Sequence, residues 1–142
     1  MCEILFRGRK TDHIGRKGEW VEGWYVKTPQ HLHGHLVDFI SIADYDEENK
    51  HCLGNTYHMV DPETICQFTV KCDGNDVKIF EHDIVQFDDD CCAEILWDKE
   101  DAMFTINGGD VSDIYENFSV VDSESIIVIG NIFDNPELME GV

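Results

Sequence analysis

Three histidines alternate along the chain, at His31, His33 and His35. In one extended strand alternate side chains point to the same face, so the three imidazoles would lie together. This spacing can present two imidazoles to one metal ion, and imidazole nitrogen is a common zinc ligand. However, Gly34 interrupts the run, and no carboxylate sits at a matching spacing within it. We therefore predict no cofactor and no native metal, and we retain the three histidines as weak candidates for a metal site.

A second group of side chains suited to chemistry lies near the N-terminus. Arg7, Arg9 and Lys10 precede Trp20 and Trp24. Basic groups can hold a phosphate, and an indole ring can stack on a base. These five residues are therefore candidates for ligand or interface contacts. They support an alternative function, in which an oligomer binds a nucleotide-like anion. The two tryptophans are interpreted first as part of a packed core, with a role as interface anchors as the alternative.

Catalytic motifs are absent from the sequence. It contains no P-loop and no GxSxG, HExxH or GxGxxG motif. Carboxylates are so abundant that a catalytic acid–base pair cannot be assigned from sequence. The six cysteines include no CxxC pair, and we interpret them as small apolar residues rather than as disulfides or a zinc site. The sequence therefore predicts a protein that is not an enzyme.

The charge of the chain is strongly negative and unevenly distributed. The chain contains thirty acidic and ten basic side chains, which give a formal net charge of -20. Residues 1–27 hold six basic and four acidic side chains, whereas the remainder holds four lysines and 26 acids. Such a surface repels nucleic acid and attracts a basic protein. We therefore predict no direct nucleic-acid binding; the alternative reading of the acidity is solubility alone.

Four segments have an ordered and unusual pattern: EILFRG at 3–8, GEWVEGWYV at 18–26, the stretch 61–87, and IGNIFDNPEL at 129–138. Together they resemble the YopX family of phage and prophage proteins. The resemblance implies a phage or prophage accessory protein without a settled biochemical activity. It also implies a glycine where this chain has His82, in a turn whose positive φ suits glycine better. The segment between Val26 and Val60 matches no family pattern.

The main functional prediction is an accessory protein that acts by binding, as a homo-oligomer, on a basic host protein. No apolar run approaches the roughly 20 residues that a membrane helix needs. The N-terminal sequence MCEILFRGRK lacks the apolar region of a signal peptide. We therefore predict a cytoplasmic protein in the bacterial host, with no membrane partner.

Short segments rich in aromatic and β-branched residues, separated by turn residues, predict an all-β and mainly antiparallel fold. Asp61 and Pro62 are typical of the start of a short helical turn, here extended to Gln67, and Pro136 starts a second one. The half of the chain after Cys72 resembles a small SH3-like barrel. We predict one domain, 1–142, with possible subdomains 1–60 and 61–142. The predicted strands are 3–9, 20–27, 36–43, 55–60, 77–80, 84–87, 92–98, 102–106 and 125–133, with a brief strand or 3₁₀ turn in 111–117.

Overall fold

The structure, a computed structural model, describes residues 3–12, 14–27, 31–32, 35–36, 38–88, 91–108 and 115–140. The chain divides into two compact units, Met1–Gln67 and Phe68–Val142. The division falls within one strand, seven residues after the soft boundary that the sequence analysis placed at Val60–Asp61. Each unit is described by itself below.

The first unit is built from antiparallel strands. β1 pairs with β2, β2 with β5, and β5 with β6, while Lys10 of β1 pairs with Val60 of β6. These four strands therefore close on themselves. A seventh strand begins at Cys66 and pairs with β1 through its first two residues. The elements are β1 (Phe6–Thr11), β2 (Lys17–Val26), β3 (His31–Leu32), β4 (His35–Leu36), β5 (Asp38–Asp46), β6 (His51–Val60) and the start of β7 (Cys66–Cys72).

The interior of the first unit is small and tightly packed. Ile40 and Val60 are fully buried, and the rings of Phe6 and Tyr25 meet at 5.6 Å between centroids. The Tyr25 hydroxyl donates to Asp38 at 2.7 Å. Gly23 is required here because a Cβ at this position would lie 2.3 Å from the Ser41 carbonyl oxygen. Any side chain at Gly23 would therefore push β2 away from β5.

The predicted helical turn after Asp61 is confirmed but is shorter than expected. A 3₁₀ turn spans Pro62–Thr64, and Asp61 Oδ1 accepts from the Glu63 N–H at 3.0 Å. Thr64 Oγ1 accepts from the backbone N–H of Arg9 at 2.9 Å, which ties the turn to β1. Ile65 is already extended, so the chain enters β7 at Cys66 instead of continuing the turn to Gln67.

The second unit contains a five-stranded antiparallel sheet in the order β12-β11-β10-β9-β13. The rest of β7 pairs with β8 beside it in the chain. 3₁₀ turns lie at Phe118–Val120, Ser123–Ser125 and Pro136–Met139. The strands are β8 (Lys78–Phe80), β9 (Asp83–Asp88), β10 (Cys91–Asp98), β11 (Met103–Gly108), β12 (Tyr115–Asn117) and β13 (Ile127–Asn131). The core is formed by Ile79, Val85, Ala93, Ile95, Ile106, Phe118 and Ile126.

A buried carboxylate organises the turn after β7. Asp73 is 4% exposed, and its Oδ1 accepts from the backbone N–H groups of Asn75 and Val77 at 2.8 and 2.9 Å. Its Oδ2 accepts from the N–H of Val128 in β13 at 2.9 Å. Burial alone raises the pKa of the Asp73 carboxyl, but the three backbone donors outweigh burial and hold the pKa below its ordinary value.

The all-β, mainly antiparallel fold predicted from sequence is confirmed, with helical structure limited to 3₁₀ turns in the described residues. The final strand is shorter than predicted because Asn131 starts a turn, with its Oδ1 accepting from the N–H groups of Phe133 and Asp134. Of the predicted segment 111–117, residues 111–114 lie outside the described residues and Tyr115–Asn117 is a strand. The SH3-like barrel stays a prediction.

Two further sequence-based expectations concern membranes and cysteines. Across the described ranges, no helix has the length and apolar character needed to span a bilayer. Of the five cysteines described, Cys66 is buried as predicted, whereas Cys52 is exposed and the other three are partly buried. The sequence predicts buried cysteines except for an exposed Cys2 and an exposed or buried Cys72, and this prediction is wrong for Cys52, which lies near the tip of the β5–β6 hairpin. Cys2 lies outside the described residues.

Candidate functional site

The register of β1 and β2 brings two of the candidate arginines onto one tryptophan. Arg9 pairs with Trp20, and Arg7 pairs with Glu22. The guanidinium carbons of Arg7 and Arg9 lie 4.8 and 5.5 Å from the centre of the Trp20 ring. Nε and Nη2 of Arg7 and Nε of Arg9 are buried. The three side chains thus form a cation–π cluster on one face of the hairpin.

The remaining two candidates, Lys10 and Trp24, lie outside this cluster, each for a different reason. Lys10 points to the opposite face of β1, where its Nζ lies 3.6 Å from Glu19 Oε1. This is the direct consequence of side-chain alternation along a strand, which the expectation of a joint Arg7–Arg9–Lys10 group overlooked. Trp24 shares the face of Trp20 but is 57% exposed. Of the two candidate tryptophans, Trp24 therefore presents the larger exposed aromatic surface.

This geometry changes what the cluster can do chemically. Arg7 and Arg9 lie over the indole of Trp20. This ring therefore offers less free surface on which a base could stack. Guanidinium groups near an aromatic ring still carry their charge and can attract an anion. Binding of a nucleotide-like anion at Arg7, Arg9, Trp20 and Trp24 stays a prediction.

The histidine alternation does not form a single strand. His31 and Leu32 form β3, which pairs antiparallel with His35 and Leu36 of β4. His33 lies outside the described residues, as do the side chains of His31 and His35. The assumption of one extended strand carrying all three imidazoles was therefore wrong. Within the described parts of the chain, no group of three or more His, Cys, Asp or Glu side chains is arranged to hold a metal ion.

His82 occupies a turn that favours glycine. Its φ is +67°, in the left-handed region that the resemblance-based expectation assigned to a glycine. The turn keeps this conformation because the backbone of His82 is held on both sides. Its N–H donates to the Ile95 carbonyl at 2.7 Å, and its carbonyl accepts from the Ile132 N–H at 3.0 Å. The turn doubted from sequence is thus formed, with histidine in place of glycine.

The imidazole of His82 lies between two carboxylates. Nε2 is 3.1 Å from Glu81 Oε1, and Nδ1 is 2.9 Å from Glu94 Oε1. The ring also meets Phe133 edge-on, at 5.5 Å between centroids. The hydrogen bonds to Glu81 and then Glu94 raise the pKa of His82 to about 9, although partial burial opposes this shift. His82 is therefore a cation at neutral pH.

We expect the contacts of His82 with Glu81 and Glu94 to make the free energy of unfolding fall as the pH rises into the alkaline range. The pKa of His82 is raised from 6.5 to about 9, so its contribution is complete below pH 6.5 and is lost as the pH rises through 9. Urea unfolding between pH 6.5 and 10 should show a loss larger by about 1 to 3 kcal/mol in the natural chain than in His82→Asn. Asparagine tolerates the left-handed conformation but carries no titratable group.

A matched control for this experiment is His51→Asn, because His51 is exposed at the start of β6. This variant should lose stability with pH as steeply as the natural chain does. Equal pH dependence in His82→Asn and the natural chain would contradict the role assigned to the His82 ion pairs.

Trp97, for which the sequence predicts no role, is 42% exposed. Trp97 continues the inward-facing row of Ala93 and Ile95 on β10 and packs edge-on against Phe104, at 4.9 Å between ring centroids. Two shallow hollows, of about 290 and 310 Å³, share this indole as a wall. Besides Trp97, the first is lined by Thr69, Lys71, Ala102, Met103, Phe104, Asn117, Phe118 and Ser119, and the second by Leu96, Asp98, Lys99, Glu100 and Thr105.

We call Trp97, Met103, Phe104 and the acidic turn residues Asp98, Glu100 and Asp101 the Trp97 patch. Asp98 Oδ1 accepts from the N–H groups of Glu100 and Asp101 at 2.9 and 3.2 Å, which shapes the turn between β10 and β11. One signal for this patch was present in the sequence, since Trp97 directly precedes the charged turn 98–101.

Lys71 lies in the wall of the hollow that Met103 and Phe104 line, but its ammonium group bonds to the backbone of the fold. Its Nζ donates to the carbonyl oxygens of Phe118, Ser119 and Val121 at 2.9, 3.1 and 3.0 Å. It also lies 4.9 Å from the centre of the Phe118 ring. All three ammonium hydrogens thus have acceptors within the fold. Lys71 therefore contributes to the floor of the hollow and does not offer its charge to a ligand.

Comparison with known proteins identifies the family. The family model described as YopX protein matches residues 16–140. This chain belongs to the YopX family. The match confirms the resemblance inferred from the sequence and leaves the opening segment 3–8 outside the matched region.

A solved structure supports the fold of this YopX-family chain. The crystal structure of protein EF1440 from Enterococcus faecalis is similar over 98% of this chain and 99% of that chain. Its TM-score is 0.53 and its sequence identity is 20%, so the likeness concerns the fold alone. None of the curated proteins matches this sequence significantly.

Proposed function

We propose that this YopX-family protein acts by binding a basic protein partner and catalyses no reaction. The observation that carries the proposal is the charge of the second unit. Residues 68–142 hold nineteen acidic and three basic side chains, a net charge of -16, whereas residues 1–67 hold eleven acidic and seven basic ones. A charge so concentrated steers a basic partner toward the second unit and speeds its association.

The partner we propose is a host protein whose basic face binds nucleic acid. The family's phage and prophage context supplies the host, and the negative sign of the second unit selects the partner's charge. An acidic protein on such a face would compete with the phosphate backbone for the same arginines and lysines. Self-association completes the proposal, since Trp24, 57% exposed on β2, is an aromatic anchor of the kind found at protein interfaces.

The test is retention of a host protein on the immobilised, intact chain. Lysate of the bacterial host is first treated with nuclease, so that nucleic acid cannot bridge two proteins. We expect a basic protein to be retained at about 0.02 M salt and released by about 0.3 M, because the screening length shortens as salt rises. Beads coupled to a protein of similar size and neutral charge serve as the control.

Failure to retain any protein at low salt would contradict the proposal, since an electrostatic contact is strongest there. Retention that is unaffected by salt would also contradict it, because it would show that the acidic surface does not drive binding.

A further inference from the structure

The Trp97 patch combines an exposed aromatic ring with carboxylates on one turn of the second unit. Trp97 is half-exposed, and the hollow beside it is lined by Asp98 and Glu100. Asp101 follows in the same turn and is exposed. In contrast, the rings of Phe68, Phe80 and Phe118 in this unit are buried, at 4%, 1% and 2% exposure. An indole left accessible beside carboxylates matches the two surfaces of an arginine side chain.

We propose that the Trp97 patch is the docking surface for an arginine-bearing segment of the partner protein; this inference rests on the proposed function. The guanidinium plane can stack on the indole of Trp97 while its N–H groups donate to carboxylate oxygens of the turn. Arginine fits this surface better than lysine, because an ammonium group lacks both the planar stacking face and the paired donors.

The neighbouring hollow fits the apolar part of such a segment. Met103 and Phe104 line it together with the nearly buried Phe118, and methionine surfaces adapt to varied apolar partners. Lys71, a cation in the wall of this hollow, donates to three backbone carbonyls of the fold. Its N–H groups are therefore engaged within the fold. Lys99, exposed within the acidic turn, is the cation that would oppose docking.

The probe is a blocked peptide of four alternating Gly-Arg pairs, compared with the matched Gly-Lys peptide, at low salt. The intact ¹⁵N-labelled chain has three indole N–H groups, from Trp20, Trp24 and Trp97. We expect the arginine peptide to shift the Trp97 signal and to leave the exposed Trp24 signal in place. We expect it to bind more tightly than the lysine peptide.

Variants locate the contact. Trp97→Leu keeps an apolar side chain against Phe104 but removes the indole, and should weaken peptide binding at least about fivefold. Glu100→Gln with Asp101→Asn changes only exposed charges, so it is expected to leave folding intact, and should weaken binding by a similar factor. Asp98 is left unchanged because it shapes the turn. Trp24→Leu is the matched control and should bind as the natural chain does, while Lys99→Ala should bind no more weakly.

The outcomes separate this inference from the proposed function. Peptide binding that is equal in the natural chain, Trp97→Leu and the double variant would overturn the Trp97 patch as the docking surface. The function would stand in that case if the host partner is still retained from lysate. Absence of peptide binding at low salt would overturn the docking inference as well. Absence of a retained host protein would instead contradict the proposed function itself.

Discussion

Replacing Asp73 by alanine should lower the free energy of unfolding by about 3 to 5 kcal/mol, the largest effect expected of any substitution considered for this chain. The carboxylate is 4% exposed and accepts three backbone hydrogen bonds. Without it, the N–H groups of Asn75, Val77 and Val128 lose the acceptor that the buried carboxylate supplies. Urea unfolding at pH 7, followed by circular dichroism, measures the loss.

Two further variants make the Asp73 experiment specific. Asp73→Asn keeps one acceptor oxygen and should lose about half as much stability. Asp101→Ala removes an exposed carboxylate and should leave stability within about 0.5 kcal/mol of the natural value. Because the pKa of Asp73 is held below 3.8, its contribution is present above that pH and is lost as the pH falls through the folded value. If Asp73→Ala has the same free energy of unfolding as the natural chain, the three hydrogen bonds of Asp73 do not stabilise this unit.

Replacing Lys71 by methionine should lower the free energy of unfolding by about 2 to 3 kcal/mol. The ammonium group donates to the carbonyls of Phe118, Ser119 and Val121, at the 3₁₀ turn that follows β12. Methionine keeps the unbranched apolar stem but leaves these carbonyls without that donor. The preceding residue, Val70, has a φ of +72°, which β-branched residues rarely adopt. The Lys71 hydrogen bonds thus help to offset local backbone strain.

Thermal and urea unfolding of Lys71→Met measure this effect. Lys99→Met is the matched control, because Lys99 is exposed in the β10–β11 turn, and it should unfold like the natural chain. If both variants lose the same small amount of stability, the three carbonyl contacts of Lys71 do not stabilise the second unit.

Local sequence patterns predict much of the secondary structure of this chain. Aromatic and β-branched runs marked the strands, and Asp61 followed by Pro62 marked the 3₁₀ turn, because both signals depend on neighbouring residues. Contacts between distant residues were not predictable in this way. The bond from the Arg9 N–H to Thr64 spans 55 positions, and the bond from the Val128 N–H to Asp73 also spans 55. No local preference encodes such pairs.

Among the candidate residues, too, contacts between neighbouring elements are easier to predict from sequence than side-chain exposure. Trp20 meets Arg7 and Arg9 because β1 and β2 follow one another along the chain and pair directly. Lys10 lies apart from them, beside Glu19, because neighbouring residues of a strand alternate between its two faces. Trp97 was passed over because its exposure is set by how β10 and β11 end, and sequence does not reveal which of two aromatic residues in a hairpin will be covered.

The β5–β6 hairpin of the first unit is open to solvent for most of its length. Every residue of β6 from His51 to Tyr57 is exposed, including Leu53 at 66%. Such positions make few packing contacts, so substitutions there cost little stability. The same region lies between Val26 and Val60, where the sequence analysis found no family motif. The exposed part of this hairpin can therefore change in sequence without loss of the fold.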